Sequence, residues 1–151
     1  MATFDFSTGT LFIDELTSLF SGRPSPEESP LAGAAELAKC GEWENYGING
    51  VKLWGKTFGV AARYRNKKLA MIDFVWLDGV AKKNDWSATE DDLVKEKKAL
   101  SKMIATQSES PCVSSTIGAD TFVFSWGTLT VHADLRSMVV ITSVAYTEGK
   151  E

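Results

Sequence analysis

The stretch from Trp86 to Thr106, WSATEDDLVKEKKALSKMIAT, constrains this chain more than any other. Ser87 and Glu90 stand in the S-x-x-E relation of a capping box: the serine hydroxyl accepts from the Glu90 amide, and the glutamate accepts from the Ser87 amide. Glu90, Asp91 and Asp92 place negative charge in the first turn, where the helix dipole favours it. Lys95, Lys97, Lys98 and Lys102 follow, acid before base, the better order for i,i+4 pairing. Leu93, Leu100, Met103 and Ile104 recur at helical spacing, with Val94 and Ala99 at the margins. The spacing predicts a helix over 87–106 whose charged face meets water and whose apolar stripe covers something.

What it covers is sheet. Phe58, Val60, Ala62 and Tyr64 alternate on one face, Asn66-Lys67 reads as a hairpin turn, and Ile72, Phe74 and Trp76 alternate on the way back. Beyond the helix, Phe122, Phe124 and Trp126 alternate, Gly127 allows a bend or bulge, and Leu129, Val131 and Ala133 continue. Asp134 to Ser137 is a turn before a final strand over 138–146. Phe4 to Ile13 reads as a short strand or hairpin. Asp14 caps a short helix over 15–20, in which Leu16, Leu19 and Phe20 share a face. Arg23 to Gly33, rich in proline, reads as an exposed loop. Residues 34–46 are ambiguous between helix and strand; the alternation places a strand over 36–46, with a turn at Gly47–Gly50. Strands, one long helix, then strands again predict an α+β fold over a single domain, 1–151. It holds an antiparallel sheet of about five to seven strands, the helix over 87–106 packed on one face, and the short N-terminal helix.

The chain of 151 residues is long enough to bury a real core, and its 44% hydrophobic and 24% charged residues suit a soluble globular protein. No apolar run approaches the ~20 residues of a membrane span, and the N-terminus does not read as a signal peptide. Cys40 and Cys112 read as reduced thiols of a cytoplasmic protein.

Little in the sequence points to chemistry. The single histidine, His132, sits on an expected strand and has no positioned nucleophile or carboxylate beside it. No cysteine spacing, phosphate loop or metal-ligand pattern is present, so no metal, cofactor or catalytic residue is expected. The charge is segregated: residues 1–50 carry eight acids and two bases, residues 51–106 seven acids and twelve bases. Glu42-Trp43-Glu44 sets an aromatic between two of the N-terminal acids. Either Trp43 is an exposed anchor at an interface, or it packs on a sheet while the glutamates face water. As a strand, Glu42 and Glu44 lie on one face and Trp43 on the other. These three residues are the candidate partner-binding site, and their acidity suggests a basic protein partner; nucleic acid and membrane partners are not expected.

The order of pieces over residues 54–146 resembles that of small bacterial α+β proteins, some of them toxin-immunity-like. Trp54-Gly55 through Leu69 and Ile72 match their hairpin, and Trp86 precedes the charged helix. Phe124-Ser125-Trp126-Gly127, Asp134-Leu135-Arg136-Ser137 and Tyr146 match their closing strands. Several proteins of that look neutralise secreted toxins encoded nearby. The resemblance implies a non-enzymatic, protein-binding role such as a cytoplasmic immunity protein. A secretion-chaperone-like homodimer holding an exported protein is the alternative, and a small enzyme using His132 or a cysteine a third.

Overall fold

The computed structural model describes residues 2–14, 17–28, 34–77, 89–134 and 139–147. They form eleven strands and one helix, α1, Glu90–Ser108. Three strands, β1 (Thr3–Asp5), β2 (Thr10–Phe12) and β3 (Ser18–Leu19), make a small antiparallel sheet. The other eight form one antiparallel sheet. The first four are β4 (Ala35–Cys40), β5 (Trp43–Leu53), β6 (Lys56–Arg65) and β7 (Lys68–Trp76). After α1 come β8 (Ser114–Ser115), β9 (Ala119–Phe124), β10 (Gly127–Asp134) and β11 (Val139–Tyr146). The order across the sheet is β4-β5-β6-β7-β11-β10-β9-β8. Each four-strand meander thus runs from an edge to the centre, and the segment holding α1 crosses from the centre to the far edge.

The turns follow from local chemistry. Asn66 and Lys67 both have positive φ, +52° and +66°, as a two-residue type I′ hairpin demands. Lys67 is a poor residue for that conformation, and its ammonium is held by Glu27 at 2.7 Å and Glu44 at 3.0 Å. Trp54-Gly55 turns the β5–β6 hairpin in the same way. The Trp54 ring stacks on Phe6 and Phe74, so packing supports its left-handed backbone.

Period-two alternation gives the large sheet one apolar face. Phe58, Val60, Ala62 and Tyr64 on β6, Ile72 and Phe74 on β7, Val140 and Val144 on β11, Leu129 and Val131 on β10, and Phe122 on β9 are all buried. Register places these side by side, as in Val60↔Phe74, Ile72↔Val144 and Leu129↔Phe122. Helix α1 covers β9–β11 with Leu93, Leu100 and Ile104. The small sheet covers more of the same face: Phe4 packs edge-on against Trp54, Phe74 and Trp126, and Trp126 Nε1 donates to the Phe6 carbonyl at 2.6 Å. Within the helix–sheet layer, Lys97 is 1% exposed; its Nζ donates to Asp120 Oδ1 and the Thr116 carbonyl, both at 2.9 Å. Ser101 and Ser115 donate their hydroxyls to the same carboxylate.

The expected α+β fold is overturned. The described chain is mostly sheet, with eight strands in the main sheet rather than five to seven, a separate three-stranded sheet, and no short N-terminal helix. In place of a helix over 15–20, Leu19 is buried on β3 opposite Leu11, while residues 15 and 16 lie outside the described residues. Asp14, read as a helix cap, accepts from the Thr17 amide at 2.7 Å and closes the β2–β3 hairpin. An aspartate before a short apolar run serves either purpose.

The helix begins later than expected. Thr89 is its N-cap: Thr89 Oγ1 accepts from the Asp92 amide, and Asp92 accepts from the Thr89 amide. Ser87 lies outside the described residues. The strand expected over 36–46 is a hairpin turning at Gly41-Glu42, whereas Gly47–Gly50, expected as a turn, lies inside β5 with a bulge between Ile48 and Val51. Gly127 opens β10 in a second hairpin rather than bending one strand. Arg23, expected in an exposed loop, is buried and donates to the Ser18 and Pro24 carbonyls.

Candidate functional site

Glu42, Trp43 and Glu44 lie at the β4–β5 turn, at one corner of the large sheet. Trp43 and Glu44 begin a strand and point to opposite faces, but Glu42 lies in the turn before it, so Glu42 and Glu44 do not share a strand face. Their environments differ sharply. Glu44 shares the inner face with Tyr46 and Ile48 and is 5% exposed. It accepts from Tyr46 Oη at 3.1 Å and pairs with Lys67. Glu42 is exposed in the turn and accepts from Arg65 Nε at 3.1 Å. Trp43 is half-buried on the outer face, with the Arg65 guanidinium 5.9 Å from its ring centre.

The acids of this corner are therefore balanced from within. Glu27 pairs with Lys39 and Lys67, and Lys39 also pairs with Glu36. Hydrogen bonds from Lys39 and Lys67 hold the Glu27 carboxyl down at about 2. An open groove of about 430 Å³ runs between these groups, lined by Lys39, Gly41, Glu42, Glu44, Asn66 and Lys67. Both signs of charge line it. It suits polar contact with a partner rather than capture of one ion.

Trp43 belongs to a larger surface, the outer face of the sheet. Register sets Trp43, Asn45 and Gly47 on β5 beside Arg65, Arg63 and Ala61 on β6. Met71, Asp73 and Val75 on β7 come next, then Ala145, Ser143 and Ile141 on β11, then Thr128, Thr130 and His132 on β10. Among the described residues, the Leu37 side chain lies within 3.1 Å of where a Gly47 Cβ would stand, and Leu77 flanks Gly59. Nothing in the sequence marked Arg63, Asp73 and Ser143 as neighbours, because only strand register joins them.

His132 lies on this outer face opposite Ile141 and Ala119, and among the described residues its buried Nε2 has no hydrogen-bond partner. Cys40 is an exposed thiol on β4, and Cys112 bonds the Ser114 carbonyl after the helix. Neither meets His132. Among the described residues, no group of three His, Cys, Asp or Glu side chains is placed to hold a metal ion. No described helix is long and apolar enough to cross a membrane.

No family model and no curated protein matches the sequence. One chain of the solved structure "Rhs1-CT in complex with cognate immunity protein RhsI1" shares the fold. The match has a TM-score of 0.55 at 13% identity and covers 100% of this chain and 90% of that one. At that identity the likeness is one of fold.

Proposed function

We propose that this chain is a non-enzymatic, protein-binding module of the immunity type, which neutralises a toxin by occupying its surface. The observation that carries this reading is the full-length fold likeness to a chain of a complex between Rhs1-CT and a cognate immunity protein. The outer sheet face adds support: it is broad, and it presents a half-buried Trp and two Arg, residue types that dominate interface energetics. In this reading Trp43 and Glu42 lie on the contact surface, while Glu44 holds the corner together through Lys67 and Tyr46.

Co-production with any toxin domain encoded near its gene tests the reading. Restored growth of cells making that domain, with a 1:1 complex from the purified pair, is the expected result. Trp43→Ala should raise the dissociation rate, and Glu42→Lys should alter the association rate. The companion reversal at Glu44 would set a cation against Lys67 and report on folding instead. A pair that forms no complex and gives no protection sinks the proposal, as does a dimer that protects only an unfolded exported protein.

A further inference from the structure

At the centre of the outer face, three residues from three strands form one polar unit. Asp73 on β7 accepts from Ser143 Oγ on β11 at 2.7 Å and pairs through its other oxygen with Arg63 Nη2 on β6, also at 2.7 Å. Asp73 is buried, so both of its oxygens need partners and both have them. The Arg63 side chain is 44% exposed, and Asp73 is its only partner among the described residues. One nitrogen of a guanidinium with five N–H donors is engaged, and the remaining donors have no partner among the described residues.

Ala61, Gly59 and Gly47 lie along β5 and β6, Ala145 along β11, and Thr128 and Thr130 along β10, with the Leu37 and Leu77 side chains beside Gly47 and Gly59. Arg63 is among the exposed groups that an approaching surface meets. A guanidinium fixed by one buried carboxylate loses little freedom on gripping a second, and its planar fork matches a carboxylate. A polyanion is disfavoured, because the chain carries a net charge of −4.

We propose that Arg63, positioned by Asp73 and Ser143, anchors the outer face to the toxin by gripping an Asp or Glu side chain of that partner. This rests on the immunity reading and names the contact. The face extends unbroken from Arg63 through Asn45 to Trp43, so the arginine and the tryptophan act on one partner.

The probe is the purified, catalytically disabled toxin domain against which co-production of this chain protects, titrated by calorimetry. Arg63→Ala should weaken binding by at least about 30-fold, the mark of a hot-spot residue. Arg63→Lys keeps the charge but not the fork and should recover only part of that loss. Asp73→Asn should weaken binding less than Arg63→Ala, because it frees the guanidinium without removing it. Thr130→Arg should block the face, and Lys102→Ala on the exposed side of α1 should change nothing. Unchanged melting of each variant excludes misfolding. Tight binding that ignores both Arg63→Ala and Thr130→Arg overturns the proposal and leaves the immunity reading intact. Absence of any complex with the parent chain overturns both. If the parent is a dimer that Thr130→Arg dissociates, a second copy occupies the face and the toxin assignment fails.

Discussion

Lys97→Met should be among the most damaging single substitutions in this chain. The Lys97 side chain is 1% exposed and the Asp120 side chain 7%, so the two charges face each other in the layer between α1 and β9. Methionine keeps the length of the stem and removes the ammonium. Asp120 then keeps Ser101 and Ser115 as donors but has lost its counter-charge in a dry site. Breaking one side of a buried pair costs about 3–5 kcal/mol. At about 2–4 °C per kcal/mol for a chain of this size, the melting temperature should fall by about 6–20 °C. The double variant Lys97→Met with Asp120→Leu removes both charges and should recover a large part of the loss, because two apolar residues replace a desolvated pair. Urea melts followed by tryptophan fluorescence measure all three. A Lys97→Met loss below about 1 kcal/mol, or losses in the double variant that simply add, would show that water reaches the pair.

The same clasp has a pH signature. Burial pushes the Asp120 carboxyl up, but the hydrogen bonds from Ser101, Ser115 and Lys97, with the Lys97 charge, more than offset it, so the group titrates below its ordinary value. A carboxyl lowered on folding contributes stability that is present above its unfolded pKa of about 3.9. That contribution is lost as pH falls through the folded value. Parent and Asp120→Asn should therefore converge in stability at strongly acidic pH and diverge toward neutrality. A gap independent of pH would refute the electrostatic account.

Phe74→Ala should cost about 3–5 kcal/mol in a urea melt, since Phe74 is buried where the rings of Phe4, Trp54 and Phe58 meet; Phe124→Ala, only half-buried, should cost less. Thr89→Ala should cost about 1 kcal/mol by removing the N-cap acceptor, read as a loss of stability by circular dichroism. Gly127→Ala should be destabilising by thermal melt, because φ is +155° and a Cβ there would lie 2.1 Å from the Ala145 carbonyl oxygen. A Gly127→Ala protein that melts with the parent would mean that β10 and β11 pair in another register.

What could be read from the sequence is what local chemistry alone decides. Alternation over 58–64 and 72–76 gave the right faces because one side of each strand is buried and the pattern repeats within a few residues. Asn66 gave the turn because asparagine tolerates the positive φ that the turn needs, while Lys67 is held there by Glu27 and Glu44. The failures share a cause: one signal serves two structures. Asp14 before Leu16, Leu19 and Phe20 suits a helix start or a hairpin closure, and the burial of Leu19 opposite Leu11 decides it. Gly47 to Gly50 suits a turn or a bulge, and the continued pairing of Val51 with Phe58 decides that. The cap was read at Ser87–Glu90, whereas Thr89 and Asp92 form the capping box that starts the helix.

The candidate site was less legible, for a reason that lies in charge rather than pattern. Eight acids and two bases in residues 1–50 look like a negative surface. The β5–β6–β7 meander then sets Arg65 and Lys67, from the basic middle of the chain, against Glu42, Glu44 and Glu27. Segregation along the sequence becomes pairing in the fold, because antiparallel neighbours come from opposite sides of each turn. In the proposed binding role, a partner would meet a corner of nearly balanced charge, so long-range steering would be weak and short-range geometry would decide affinity. Geometry of that kind is fixed by register: Asp73 and Ser143 are 70 residues apart and become neighbours only when β11 pairs with β7. No periodicity in the sequence carries that pairing, and it is the step that turns a strand arginine, Arg63, into an oriented group on an open face.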